Sequence, residues 1–104
     1  IRDLRQGGQL NSTLILVFSE FGRRVKENSS KRTDHGTANN VWFLGGRLKK
    51  AGILNEGPDL EHLDNDDLIY TVDFRSIYAT ILDNWLKVNS EKVLGRKFEK
   101  LSFV

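Results

Sequence analysis

The stretch "TLILVFSEFGRRVKENSSKRTDHGTAN", residues 13–39, decides how the fold is interpreted. It begins with an uninterrupted apolar run at residues 13–18, rich in strand formers, which predicts a short strand buried on both faces, as in a parallel sheet. The run stops at Ser19 and Glu20, and residues 22–40 are polar, charged and glycine-containing. We therefore predict a strand followed by a long surface loop. Long loops in compact domains are usually either functional or disordered.

Two further segments complete the predicted fold. The run VWFL at residues 41–44 predicts a second buried strand. Apolar residues at three-and-four spacing then describe one face of a helix at about 73–88, which Asp73 can cap at its start. Residues 1–8 have the pattern of the last turns of another helix. This order of helix end, strand, strand and helix indicates an α/β layer, with most of its sheet outside the chain.

The composition limits the possible functions. The chain has 16 basic and 14 acidic residues, a near balance that argues against a nucleic-acid-binding module. It has no cysteine, which excludes disulfides and thiolate metal sites, and no apolar run long enough for a membrane span. Because the chain begins at Ile1 and contains no methionine, we expect residues 1–104 to be a single segment excised from a longer protein. The oligomeric state is left open.

Candidate metal ligands follow the first predicted strand. In open α/β sheets, ligands bind beyond the carboxyl ends of the strands, and Glu20 lies two residues past such an end. The predicted loop at 19–40 also places Asp34 beside His35, and carboxylate and imidazole groups suit divalent ions such as zinc or manganese. A catalytic metal generally has about three protein ligands, and Glu20, Asp34 and His35 are the candidates. Arg23 is a candidate for holding an oxyanion, because guanidinium matches phosphate and sulfate oxygens.

These features also have purely structural explanations. Glu20 and Arg23 can form a surface ion pair at a strand end, since most charged loop residues are simply solvated. An adjacent Asp and His is a common chance match, which gains weight here only from the predicted buried strand before Glu20. The acidic run at residues 59–67 lacks the Gly and Glu positions of an EF-hand loop, and we interpret it as solvated.

Taken together, these pieces resemble a known family. Residues 13–46, followed by DFRSIYATILDNWL at residues 73–86, are similar to the C-terminal part of the bacterial domain of unknown function 1501 family. That family belongs to the alkaline-phosphatase-like superfamily, with the sulfatases and the cofactor-independent phosphoglycerate mutases. The resemblance implies a C-terminal fragment of an alkaline-phosphatase-like α/β/α sandwich. It also implies a divalent-metal centre (zinc, manganese, calcium or magnesium), a small-molecule or polymeric phosphate or sulfate ester as substrate, and export to the periplasm.

The superfamily's metal motif can be superposed on this chain in two ways. Its hallmark is a strand ending in Asp-His-Gly, with both side chains as ligands. In the first superposition, which follows the position after the strand, residues 20–22 correspond to the motif and His35 matches a later histidine ligand. In the second, which follows the identity of the residues, the Asp-His-Gly sequence at residues 34–36 corresponds to the motif. We prefer the first, because a buried strand precedes it. Phe21 then stands in the place of a histidine and cannot bind metal, which implies a single or altered metal site.

Two functional hypotheses follow from this resemblance. In the first, the chain is part of a metal-dependent phosphate- or sulfate-ester hydrolase-like protein, in which Glu20 and His35 hold the metal and Asp34 is a ligand or supports one. The superfamily's nucleophile would lie upstream, so the isolated segment is expected to be inactive. In the second, the protein is a non-catalytic exported binding or structural protein with a degenerate alkaline-phosphatase-like site. Phe21 in the place of a histidine motivates the second hypothesis.

Overall fold

The computed structural model describes residues 1–104 and divides them into two compact units. Unit 1 contains residues 1–46 and 55–71, and unit 2 contains residues 47–54 and 72–104. Helices make up 24% of the residues and strands 21%, so the predicted mixed α/β class is confirmed, although every sheet is small and antiparallel. None of the helices is both long and apolar enough to cross a membrane.

Unit 1 holds one short helix and six short strands. The helix is α1 (Arg2–Gln6), followed by a 3₁₀ turn at Leu10–Ser12. The strands are β1 (Leu14–Val17), β2 (Gly22–Glu27), β3 (Thr33–Gly36), β4 (Trp42–Gly45), β5 (Leu63–Asp64) and β6 (Asp67–Leu68). They pair as three two-stranded sheets, β1 with β4, β2 with β3 and β5 with β6.

Strands β1 and β4 are the two strands predicted from apolar runs, and their existence is confirmed. They pair antiparallel with each other, with Leu14 opposite Gly45 and Val17 opposite Trp42, so the parallel arrangement expected from the sequence is wrong for this pair. Burial on both faces is also wrong, since Val17 is 50% exposed and Trp42 is 67% exposed. The reason is physical: an apolar run shows that both faces can be buried, but it does not supply the layer that covers them.

The segment predicted as a loop at 19–40 contains a β-hairpin, which corrects the loop prediction. Strand β2 pairs antiparallel with β3, and an irregularity in register lies between Arg23 and Glu27. The connecting turn is closed by Asn28, whose side-chain oxygen accepts hydrogen bonds from the backbone N–H groups of Ser30 and Arg32. Such side-chain caps are typical of Asn in turns. The strands escape sequence analysis because polar residues occupy both of their faces.

The acidic run at residues 59–67 is predicted to be a solvated segment. In the structure it leads into a second hairpin. Strands β5 and β6 are joined by Asn65 and Asp66, whose φ angles are 49° and 65°. Two-residue hairpin turns with positive φ favour Asn, Asp and Gly at these positions. The turn brings Asp67 into β6, where it is only 7% exposed.

Unit 2 is helical. It contains α2 (Phe74–Thr80), a π-helical turn at Ile81–Trp85 and α3 (Ser90–Leu94), so the helix predicted at about 73–88 corresponds to helical residues 74–85. The predicted cap at Asp73 is present, since its carboxylate accepts a hydrogen bond from the Arg75 N–H at 2.9 Å. The buried residues include Ile77, Ala79, Thr80, Phe103 and Val104.

Candidate functional site

The β2–β3 hairpin places two of the predicted site residues opposite each other. Arg23 in β2 pairs with His35 in β3. Directly opposed residues of an antiparallel pair have their side chains on the same face, and both residues are exposed. The hairpin therefore presents a guanidinium and an imidazole side by side to solvent.

Phe21, immediately before β2, orients both groups. Its ring stacks on the His35 ring, with centroids 3.6 Å apart and planes 18° from parallel. The guanidinium carbon of Arg23 lies 5.6 Å from the Phe21 centroid, within the range of a cation–π contact. Arg23 Nη1 also donates a hydrogen bond to the Thr33 carbonyl at 2.8 Å. Neither side chain depends on solvent alone for its orientation.

Asp34 does not join this group. Successive side chains of a strand point to opposite faces, so Asp34 and His35 diverge. The Asp34 carboxylate instead accepts a hydrogen bond from Asn28 Nδ2 at 2.9 Å, next to the hairpin turn. The alternative superposition, in which residues 34–36 are the metal motif, requires Asp34 and His35 to act together, and this geometry does not favour it.

Glu20 lies in the connection between β1 and β2, directly before Phe21, and is exposed. Hydrogen bonds surround it: Ser19 Oγ donates to the Phe21 carbonyl at 2.9 Å, and Asn39 Nδ2 donates to the Ser19 carbonyl at 2.7 Å. No three His, Asp or Glu side chains in residues 1–104 converge closely enough to hold a metal ion. The chain alone therefore does not form a three-ligand centre.

Gly22, two residues after Glu20, allows two backbone segments to pack closely, the start of β2 and residues 38–39. A Cβ atom at this position would lie within 1.7 Å of the Ala38 carbonyl oxygen, far inside any tolerated contact. The backbone at residues 38–39 therefore lies against the start of β2. This close approach is a steric reason for the glycine in the Glu-Phe-Gly sequence, and it does not depend on any metal-binding role of Glu20.

Asp67 supports the hairpin just after His35. Its carboxylate accepts hydrogen bonds from the backbone N–H groups of Thr37 and Leu68 at 2.9 and 2.8 Å. The bond from Thr37 is the main reason that the pKa of Asp67 lies below its usual value. Sequence analysis missed this role, although the Asn65-Asp66 turn signal preceding Asp67 predicts a hairpin.

The opposite side of β2 faces the second hairpin. Arg24 Nη1 donates to the Asn65 carbonyl at 2.9 Å, and Lys26 Nζ pairs with Asp66 Oδ1 at 2.5 Å. These contacts involve alternate residues of β2, so they occupy one face of the strand. Arg23, between Arg24 and Gly22, is left on the exposed face with His35.

Comparison with known proteins identifies the family. The family described as a protein of unknown function, DUF1501, matches residues 1–100. The chain belongs to the DUF1501 family. No curated protein sequence and no solved structure is similar enough to give a match. The DUF1501 membership expected from the sequence is thereby confirmed, and the relationship to alkaline phosphatases stays a hypothesis.

In this DUF1501 chain, the exposed hairpin face can support two kinds of chemistry. An imidazole can be a metal ligand. A guanidinium presents several donors to an anion in a planar fork. Their placement on one face allows a single anionic ligand to meet both groups.

Proposed function

We propose that this DUF1501 chain forms the metal- and anion-binding wall of a divalent-metal-dependent, phosphate- or sulfate-ester hydrolase-like protein. The observation that carries the proposal is the pairing of Arg23 with His35 on the exposed face of the β2–β3 hairpin. Glu20 adds a carboxylate one residue before the ring that stacks on His35. Imidazole, carboxylate and guanidinium are the groups that bind a divalent metal and the anion beside it.

In this proposal, His35 and Glu20 are metal ligands and Arg23 binds the ester anion. Asp34 positions β3 through its hydrogen bond with Asn28 rather than binding the metal. A bound divalent ion supplies Lewis-acid stabilisation of the ester oxygens. No three His, Asp or Glu side chains come together within residues 1–104, so in this proposal further ligands are supplied from outside this segment. Residues 1–104 alone are therefore expected to be inactive.

The test is the metal content of the full-length parent protein, purified without chelator and measured by mass spectrometry. We expect near-stoichiometric zinc, manganese, calcium or magnesium in the wild type and loss of metal in His35→Ala and Glu20→Gln. His62→Ala is the matched control, since His62 is also exposed and pairs with Asp59 at 2.7 Å. Absence of metal from the wild type, even after incubation with added ions, would overturn the proposal.

The Phe21–His35 stack favours a second candidate function, a non-catalytic exported binding or structural protein with a degenerate site. Stacking gives His35 a packing role that does not need a metal. This candidate predicts no metal and no hydrolysis of phosphate or sulfate esters by the full-length protein. It also predicts that His35→Phe preserves function, because a phenyl ring can replace the imidazole in the stack, whereas the first proposal predicts that His35→Phe abolishes metal binding.

A further inference from the structure

Unit 2 contains an arginine whose donors are oriented but not used within the protein. The guanidinium carbon of Arg96 lies 4.7 Å from the centroid of the Phe98 ring. This is a cation–π contact, which restrains the guanidinium. The N–H groups of a guanidinium lie in its plane, so the contact with the ring does not consume them as hydrogen-bond donors. The structure shows no hydrogen bond or ion pair between this guanidinium and another protein group. Arg96 is exposed and Phe98 is half-buried.

The Phe98 ring is itself held by a second arginine. The guanidinium carbon of Arg75 lies 4.8 Å from the same ring. Arg75 is paired with Asp73 through contacts of 2.6 Å from Nη2 and 3.0 Å from Nε, and Asp73 caps the start of α2. The charge of Arg75 is therefore balanced locally. Asp73 also interacts electrostatically with Arg96, so one carboxylate faces two guanidinium groups, and the cluster of Asp73, Arg75 and Arg96 carries one excess positive charge.

The backbone also fixes the position of Arg96. Helix α3 ends at Gly95, whose φ of 80° lies in the left-handed region that favours glycine. Arg96 is the next residue, so its departure from the helix is set by a defined turn. Its surroundings are basic, since unit 2 has nine Lys and Arg residues against four Asp and Glu residues. Unit 1 has seven against ten.

We propose that Arg96, oriented by Phe98, binds a phosphate or sulfate group. The planar guanidinium fork matches two oxygens of a tetrahedral anion, and the basic character of unit 2 favours a multiply charged anion over a carboxylate. Because the proposed site contains one restrained guanidinium, we expect it to bind one phosphate or sulfate group at a time. This site consists of residues of unit 2 and does not depend on the metal site proposed for the β2–β3 hairpin.

The experiment follows the Arg96 Nε–Hε signal by NMR while inorganic phosphate is added at constant ionic strength. We expect a saturable shift with a dissociation constant on the order of 1 mM, as for a few charge-assisted hydrogen bonds. We expect Arg96→Gln to abolish saturable binding. Because this variant lacks the Nε–Hε group, its titration is followed through the backbone amide signals of neighbouring residues. Phe98→Leu weakens binding by about threefold, because it removes the ring contact but not the charge.

Lys97→Gln is the matched control, since it removes an adjacent exposed charge without touching the stack. We expect it to change the dissociation constant by less than about twofold, as suits a screened surface charge. If phosphate and chloride give equal shifts, or if Arg96→Gln and Lys97→Gln weaken binding equally, the proposal is overturned in favour of diffuse attraction. Because Arg96 is exposed, its substitution leaves the fold intact and decides the matter even if Phe98→Leu unfolds.

Two sources of the phosphate group can then be distinguished. Phenyl phosphate and a long inorganic polyphosphate are compared at equal phosphate concentration. A site for a small ester binds both with similar strength per phosphate. A site for a polymer binds polyphosphate at least about tenfold more tightly, through neighbouring charges of unit 2. If neither phenyl phosphate nor polyphosphate binds while the parent protein has its expected metal content, the Arg96 proposal is wrong and the proposed hydrolase-like function is unaffected.

Discussion

Phe21 and His35 lie face to face across the start of the β2–β3 hairpin, 3.6 Å apart between ring centroids and 18° from parallel. Phe21 precedes β2 and His35 belongs to β3, so the stack connects the two segments that the sequence singles out. Under the hypothesis of a relationship to the alkaline-phosphatase-like superfamily, Phe21 stands where that superfamily has a histidine ligand. In this structure the ring of Phe21 is in direct contact with His35.

Phe21→His should raise the affinity for zinc, because it sets a second imidazole beside His35 and next to Glu20. We expect an increase of about tenfold or more, equivalent to at least ~1.4 kcal/mol from one added ligand. Competition with a coloured chelator measures the affinity in the wild type and the variant.

Phe21→Leu is the control for loss of the aromatic ring and should not raise zinc affinity. In the double variant Phe21→His with His35→Ala, the gain should disappear. A gain that survives loss of His35 would show that the new histidine binds zinc independently, and the stack would then not mark a metal site.

Gly22→Ala should destabilise unit 1, because the added Cβ would lie 1.7 Å from the Ala38 carbonyl oxygen. The backbone would have to move, at a cost of roughly 1–3 kcal/mol, as for other overpacked positions. Thermal unfolding followed by circular dichroism measures the change.

Gly57→Ala is the matched control, since no atom lies within 4 Å of a Cβ added there and Gly57 does not have a positive φ. Its melting temperature should equal that of the wild type or rise slightly, through lower entropy of the unfolded chain. Equal effects of the two substitutions would contradict the close approach at Gly22.

The elements that the sequence predicted are those with apolar periodicity. The runs at residues 13–18 and 41–44 and the apolar face at 73–88 give β1, β4 and α2 with its π-helical turn. Periodicity reports which side chains can be buried. It does not report which strand pairs with which, and the antiparallel pairing of β1 with β4 therefore could not be predicted from it.

The hairpin that carries the candidate site has no such signal. Arg23 and Arg24 project on opposite faces of β2, so neither face reads as apolar. The pairing of Arg23 with His35 depends on the turn closed by Asn28 and on the irregular register before Glu27. The residue types of the site could be predicted, but the separation of Asp34 from His35 required the strand pairing.

Asp67→Ala should loosen the strand end that follows His35, because it removes the acceptor for the Thr37 and Leu68 N–H groups. Hydrogen bonds to a charged acceptor contribute more to stability than those between neutral groups, about 1.5–3 kcal/mol each. We expect faster hydrogen exchange at Thr37 and a lower melting temperature of unit 1. Asp64→Asn, a change at an exposed carboxylate of the same hairpin, should alter neither. Unchanged exchange at Thr37 in Asp67→Ala would contradict the supporting role.

Asp73 should make the stability of unit 2 sensitive to acid. Its hydrogen bonds with the Arg75 side chain and backbone lower its pKa to about 2, whereas the unfolded chain has a value near 3.9. A carboxylate with a lower pKa in the folded state stabilises the fold above the unfolded value and loses this effect as the pH falls through the folded value. The contribution should therefore be complete above about pH 5 and be lost progressively as the pH falls to about 1, below both pKa values.

The variant Asp73→Asn isolates this effect, because Asn keeps an oxygen that can cap α2 but carries no charge. Urea unfolding of the wild type and the variant, compared at several pH values, gives the contribution of the carboxylate as a difference. Other carboxylates with lowered pKa values, such as Asp83, titrate in both proteins and largely cancel. The wild type should be the more stable at neutral pH, and the difference should shrink as the pH falls below about 5 and be smallest near pH 1. A difference independent of pH would mean that the Asp73–Arg75 pair does not stabilise the folded state through its charge.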